Sequence, residues 1–201
     1  MRAMSADGHC NGKRFILGGS GGGSHAAFCA LDKSVTNSWP FWNSGGVDDR
    51  PDAVVCLSGA YNFADRTPEN YPPILGDVVD AFALKIENYT NTCIRIDPAG
   101  GPSQRTVSPI YLIDANTPSN FKPMFFINSK HDSMPYHQII DIQCALDGVG
   151  VSSSLYQVLT IPNSSEHAFE YWRSWDGVVP IGDAPALTVA THVIDFLNLH
   201  R

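Results

Sequence analysis

The sequence predicts an α/β protein, a mainly parallel sheet with helices on both faces, and three observations carry that prediction. Residues 52–58 and 123–128 are short runs that stay apolar without alternation, the pattern of strands buried on both sides. Residues 135–148 instead repeat apolar side chains at helical spacing (Ile139, Ile140, Ile142, Cys144, Leu146) and stop at Gly148. The order strand, helix, strand, insert, strand, helix, strand, helix is the one that right-handed crossovers join into a parallel sheet.

Residues 2–9 read as the end of a helix, and Asn11-Gly12 as a turn into a strand at 14–18. A glycine-rich turn follows, then a small-residue helix to about Lys33 and a loop from Asn37 to Asp52 rich in Trp, Pro, Asn and Gly. The strand 52–58 leads into an irregular insert over 60–104, with prolines at 68, 72, 73, 98 and 102 and a weak helical pattern from Val78 to Ile86. Segments this long inside compact domains are commonly lids or binding segments. Its Tyr61, Phe63, Tyr71 and Phe82 either wall a pocket or serve as packing. Ser108-Pro109-Ile110 opens a short helix or turn, residues 154–161 form a strand, and Pro185 to Leu199 a terminal helix. There are no internal repeats and no linker, so 1–201 reads as one domain.

Composition narrows the function classes. A formal charge of −7 without a Lys/Arg cluster argues against a nucleic-acid surface, and no apolar run approaches the length of a membrane span. The five cysteines (Cys10, Cys29, Cys56, Cys93, Cys144) show no metal spacing, and Cys29 and Cys56 read as buried free thiols. Asn88 and Asn163 stand in glycosylation sequons, no signal peptide is recognisable, and the compartment stays open.

The chemistry centres on Gly18-Gly19-Ser20-Gly21-Gly22. A serine hydroxyl is a weak nucleophile unless it projects from the backbone within reach of a base. A sharp strand-to-helix turn projects it, and glycines must flank that turn because strand and helix crowd together there. The same letters resemble a flexible linker, but a linker is not bracketed by a strand-like run (Phe15, Ile16, Leu17) and a helix-forming one (Ala26, Ala27, Phe28). A phosphate-cradling loop requires a Gly-Lys-Ser/Thr ending that is missing. Ser20 is therefore the candidate nucleophile.

Its partners belong in loops after the carboxyl ends of later strands. The loop after 123–128 holds Asp132, and the loop after 154–161 holds His167, giving the order Ser, Asp, His. His131 adjoins Asp132, but neighbours on one loop point apart. His25 lies in the helix after the elbow, and His9, His137, His192 and His200 sit on helices or termini. Asp114 and Asp141 are the alternative acids. These residues imply no cofactor and no metal.

Together the motifs resemble an α/β-hydrolase esterase, nearest to the hormone-sensitive-lipase-like and carbohydrate or feruloyl esterase-like branches. The resemblance rests on Gly18 to Gly23, Ala26, Ser108-Pro109, the acid loop Asn128 to Pro135 and His167-Ala168-Phe169. Ser129 and Met134 depart from the glycine and valine usual in that loop. The resemblance implies hydrolysis of small carboxylic esters through an acyl-enzyme on Ser20, with His167 as base, Asp132 as its orienting acid and the Gly21 N–H as an oxyanion donor. It also implies further strands before 14–18 and a His-Gly-Gly-type oxyanion loop, neither of which is in these residues. The expectation is either a fragment or a short form that covers its exposed strand edge as a homo-oligomer. A prolyl-oligopeptidase-type peptidase and a catalytically weak hydrolase-like binding protein share the same pattern.

Overall fold

The computed structural model describes residues 11–32, 50–64, 102–172 and 189–201. The helix expected at 2–9, the weak helix at 78–86, most of the 37–52 loop and of the insert, and His9, Cys10, Asn88 and Cys93 lie outside the described residues.

Four strands, β1 (Phe15–Gly19), β2 (Ala53–Leu57), β3 (Met124–Ser129) and β4 (Tyr156–Ile161), pair in that order, every neighbour parallel. Among the described residues five helices accompany them: α1 (Gly21–Leu31), α2 (Pro102–Val107), α3 (Thr117–Asn120), α4 (His137–Gly148) and α5 (Val189–Leu199). Single 3-10 turns cover Pro109–Leu112 and Ala168–Trp172.

Alternation along each strand divides the interior into two layers. Val54, Cys56, Met124, Phe126 and Tyr156 pack against Ala26, Ala27 and Ala30 of α1 and against Ile139, Ile142 and Leu146 of α4. Ala53, Val55, Leu57, Phe125, Ile127 and Ile161 pack against Tyr171 and against Val189, Val193 and Phe196 of α5. β2 and β3 are buried along their whole length, which is why their sequences carry no polar alternation. Alanines in α1 let that helix lie close on the sheet. Tyr61 and Phe63, at the start of the insert, are buried, and Tyr61 meets Phe126 edge-on at 5.2 Å, so both serve as packing.

Element ends shift from the sequence reading by one or two residues, and hydrogen bonds account for several of these shifts. β1 begins after Arg14 because the Asp52 carboxylate takes the Arg14 N–H at 2.8 Å. β4 begins at Tyr156 because Ser152 turns the chain back, its carbonyl accepting the Leu155 N–H at 2.9 Å. β3 runs on to Ser129 because Ser129 pairs with Ile161. Gly148 is the last helical residue of α4, and the left-handed stop is Gly150 (φ 79°). Gly150 and Val151 donate to the carbonyls of Asp147 and Leu146, both at 3.0 Å, closing the helix as a Schellman motif with Val151 buried beneath it.

Candidate active site

The carboxyl ends of the four strands lie side by side, and each releases a residue that matters to this site. Ser20 follows β1, Ser58 follows β2, Asp132 sits three residues past β3, and His167 stands in the loop after β4. Three non-glycine residues among those described have positive φ: Ser20 (56°), Ser58 (50°) and Ala168 (52°). All three are at this edge. Such backbone costs about 1–3 kcal/mol per residue and persists only where surrounding structure enforces it.

Ser20 illustrates the enforcement. Its N–H donates to the Leu57 carbonyl at 2.8 Å, which extends the β1–β2 ladder one residue past the strand. Its carbonyl accepts from Gly23 (2.9 Å) and Ser24 (3.2 Å), which starts α1 at once. A serine heading a helix ordinarily has extended backbone and caps the helix with its hydroxyl. With φ 56° and ψ −125°, half-buried Ser20 makes no such cap bond, so its hydroxyl is not spent on the helix. The glycines around it are there for space. A Cβ on Gly18 would lie 2.1 Å from the Gly22 carbonyl oxygen, and one on Gly23 would lie 3.1 Å from that of Leu57. The glycine segment is thus a tightly packed turn, which rules out the flexible-linker alternative.

Asp132 and His167 are brought together, with His167 Nδ1 2.6 Å from Asp132 Oδ1. The Asp132 side chain is fully buried, whereas that of His167 is 28% exposed, so the pair runs from the interior toward solvent. The same Oδ1 accepts the Met134 N–H at 2.8 Å in an Asx-type turn that fixes the loop. With Asp132 accepting, Nδ1 donates this bond and the free lone pair of the ring is on Nε2. His167 is itself held by its N–H donating to Glu170 Oε2 at 2.9 Å, a capping-box contact at the start of the 3-10 turn.

The elbow and the histidine loop touch. A Cβ on Gly19 would fall 2.8 Å from the Phe169 ring and 2.9 Å from Ala168 Cβ, so the residue before Ser20 packs on the two residues after His167. Among the described residues no hydrogen bond joins Ser20 Oγ to His167. Ligand-free sites often hold this contact loosely. Gly21 is the first residue of α1, with its N–H at the positive end of the helix.

The other sequence candidates stand elsewhere. Asp114 caps a turn through the Asn116 N–H (2.9 Å) and Thr117 Oγ1 (3.2 Å). Asp141 pairs with His137 at 2.7 Å along α4. His131 is exposed, its N–H donating to the Ser164 carbonyl at 3.1 Å. His25 is exposed on α1, and His200 stacks edge-on against Phe196 at 4.8 Å. Among the described residues no group of three or more His, Cys, Asp or Glu side chains is gathered as a metal centre requires, and no helix is long and apolar enough to cross a membrane.

Sequence reasoning missed Ser58, which it read as merely the end of a strand. Ser58 is fully buried, and its Oγ donates to Asp132 Oδ2 at 2.5 Å. It also missed Tyr171, whose hydroxyl lies 2.9 Å from Ser58 Oγ and accepts the Ser129 N–H at 2.9 Å. Burial raises the Tyr171 pKa, keeping the phenol protonated as a donor. A lone serine closing an otherwise apolar strand was the only available signal.

The fold is that of the α/β-hydrolases. Solved structures with the same arrangement include carboxyl esterase 2 from the mycorrhizal fungus Tuber melanosporum, at 15% identity and a TM-score of 0.60, covering 99% of this chain and 58% of that one. The native esterase Est2 of the planctomycete Thermogutta terrifontis matches at 15% identity and TM-score 0.59, with 98% and 56% covered. An acylaminoacyl peptidase in complex with Z-Gly-Gly-Phe-chloromethyl ketone matches at 16% and 0.52, with 82% and 21% covered. The chain thus spans about a fifth to somewhat over half the length of these structures. No family model and no curated protein matches the sequence.

Proposed function

We propose that this chain carries the catalytic residues of a serine hydrolase acting on small carboxylic esters. The observation that carries the reading is the Asp132–His167 pair, its acid buried and its imidazole partly exposed, set beside a strained turn whose serine hydroxyl does not cap its own helix. Ser20 Oγ attacks the ester carbonyl carbon as its proton passes to His167 Nε2. The Gly21 N–H donates to the resulting oxyanion. Collapse expels the alcohol, which takes that proton, and leaves the acyl group on Ser20. Water then gives a proton to His167 and attacks the acyl carbon, and Ser20 leaves with the proton as the acid departs. Asp132 orients the imidazole and stabilises its charged form throughout.

Two of the similar esterases match over 98–99% of this chain against 82% for the peptidase, which supports the ester reading. The likeness to an acylaminoacyl peptidase supports the second reading, a peptidase using the same residues. A fluorophosphonate probe tests the common step: it should label the wild type at Ser20, located by peptide mapping, and should not label Ser20→Ala. An unlabelled wild type would leave a hydrolase-like binding protein. Comparing p-nitrophenyl acetate with an acylated peptide anilide then separates ester from amide chemistry.

A further inference from the structure

We infer that Ser58 is a positioning residue, its hydroxyl clamping the acid Asp132 and the backbone just after His167 into one preset unit. This rests on the proposed roles of Asp132 and His167. The Ser58 Oγ has three neighbours: Asp132 Oδ2 at 2.5 Å, the Ala168 N–H at 2.9 Å and the Tyr171 hydroxyl at 2.9 Å.

With Asp132 taken as the ionised acid of the proposed function, donor counting gives these contacts a single direction. Asp132 Oδ2 only accepts, so the one Ser58 proton goes there. The Ala168 N–H fills one lone pair of Ser58 Oγ. The Tyr171 hydroxyl, already accepting from Ser129 N, spends its own proton on the other. The chain therefore runs Ser129 N–H to Tyr171 O–H to Ser58 O–H to Asp132 Oδ2, with every site on Ser58 used.

The clamp joins elements far apart in sequence. Ser58 follows β2, Asp132 follows β3, and Ala168 and Tyr171 belong to the turn after β4. Both Ser58 and Ala168 hold positive φ, and their mutual bond opposes relaxation of either. Met134 N–H and Ser58 O–H grip Asp132 from opposite oxygens. The carboxylate cannot rotate away from His167 Nδ1 without breaking one of them.

The test uses the full chain with Ser58→Ala and Ser58→Gly. The glycine variant relieves the backbone strain at φ 50° yet still lacks the hydroxyl, so it separates the two contributions. With p-nitrophenyl acetate, both should lower kcat about 10–100-fold, the range for partners that orient a catalytic group, with KM little changed. In an Asp132→Asn background the same changes should cost little more, since the clamp acts through the carboxylate. Equal losses in both backgrounds, or wild-type kcat in a folded Ser58→Gly, would overturn the inference.

A second readout does not depend on turnover: the far-downfield NMR resonance of the His167 Nδ1 proton, assigned by its loss in His167→Gln. It should be sharp in the wild type, and broadened or faster to exchange in both Ser58 variants. Its absence from the wild type, or its persistence unchanged in a folded Ser58 variant, counts against the clamp. Tyr171→Phe removes the donor behind Ser58 and decides the matter if neither Ser58 variant folds. If the fluorophosphonate leaves Ser20 unlabelled, the catalytic reading fails while this proton still judges the clamp.

Discussion

Three glycines in one short segment meet three different surroundings, so alanine at each should give three different results. At Gly18 an added Cβ would sit 2.1 Å from the Gly22 oxygen, 2.3 Å from the Gly22 carbonyl carbon and 2.8 Å from the Gly23 nitrogen. Overfilling a core costs about 1–3 kcal/mol where side chains can shift. Here the obstacle is the backbone of the first helical turn, so Gly18→Ala should cost about 3 kcal/mol or more. At about 2–4 °C per kcal/mol for a chain of this size, that lowers Tm by about 6–12 °C. Gly19→Ala meets Ala168 Cβ and the Phe169 ring. That ring is 52% exposed and able to swing outward, but the Ala168 methyl is fixed to a backbone held by Ser58, so the cost should be about 1–3 kcal/mol. At Gly22 nothing lies within 4 Å of the added methyl, and the higher helix propensity of alanine should raise stability by up to about 1 kcal/mol. Thermal melts followed by circular dichroism, with urea titrations, measure all three. Indistinguishable variants, or a Gly18→Ala within about 0.5 kcal/mol of wild type, would refute the tight-turn reasoning.

Two further expectations follow from buried titrating groups. Burial holds Tyr61 and Tyr171 above the ordinary phenol pKa, and burial with the Asp147 hydrogen bond pushes Tyr156 up to about 12. These groups keep their protons in the folded state where the unfolded chain loses them. Their stabilisation is therefore complete below about pH 10 and declines as pH rises from about 10 toward 12. Urea midpoints across that range should fall, and Tyr156→Phe should flatten the fall; an unchanged slope in that variant would contradict the assignment. Burial likewise raises the pKa of the Cys56 thiol, while Cys144 is exposed. A native iodoacetamide pulse mapped by mass spectrometry should modify Cys144 and spare Cys56 until urea is added. Early labelling of Cys56 would show that the β2 layer opens.

The parts of this architecture visible in the sequence are those fixed by local pattern. β2 and β3 read plainly because both their faces are covered, leaving unbroken apolar runs. The Ser20 turn was legible because steric crowding demands glycine at Gly18 and Gly23, and letters record that demand directly. Asp132 and His167 followed from where strands end. The positions where β1 and β4 begin did not, because an aspartate just before β2 captures Arg14 and a serine turn delays Tyr156. Ser58 was illegible for a related reason. Its partners stand 74, 110 and 113 residues away, and its own letter is compatible with any strand end.

Those separations bear on how the molecule folds. Every strand pairing here is parallel and non-local, so each must close a long loop before it gains anything, and chains of this kind fold slowly. The contacts around Asp132 form only when β2, β3 and the segment after β4 have all arrived. On the proposed role of Ser20, its labelling by a fluorophosphonate should therefore recover late in refolding, after helix content, and so report completion of the sheet.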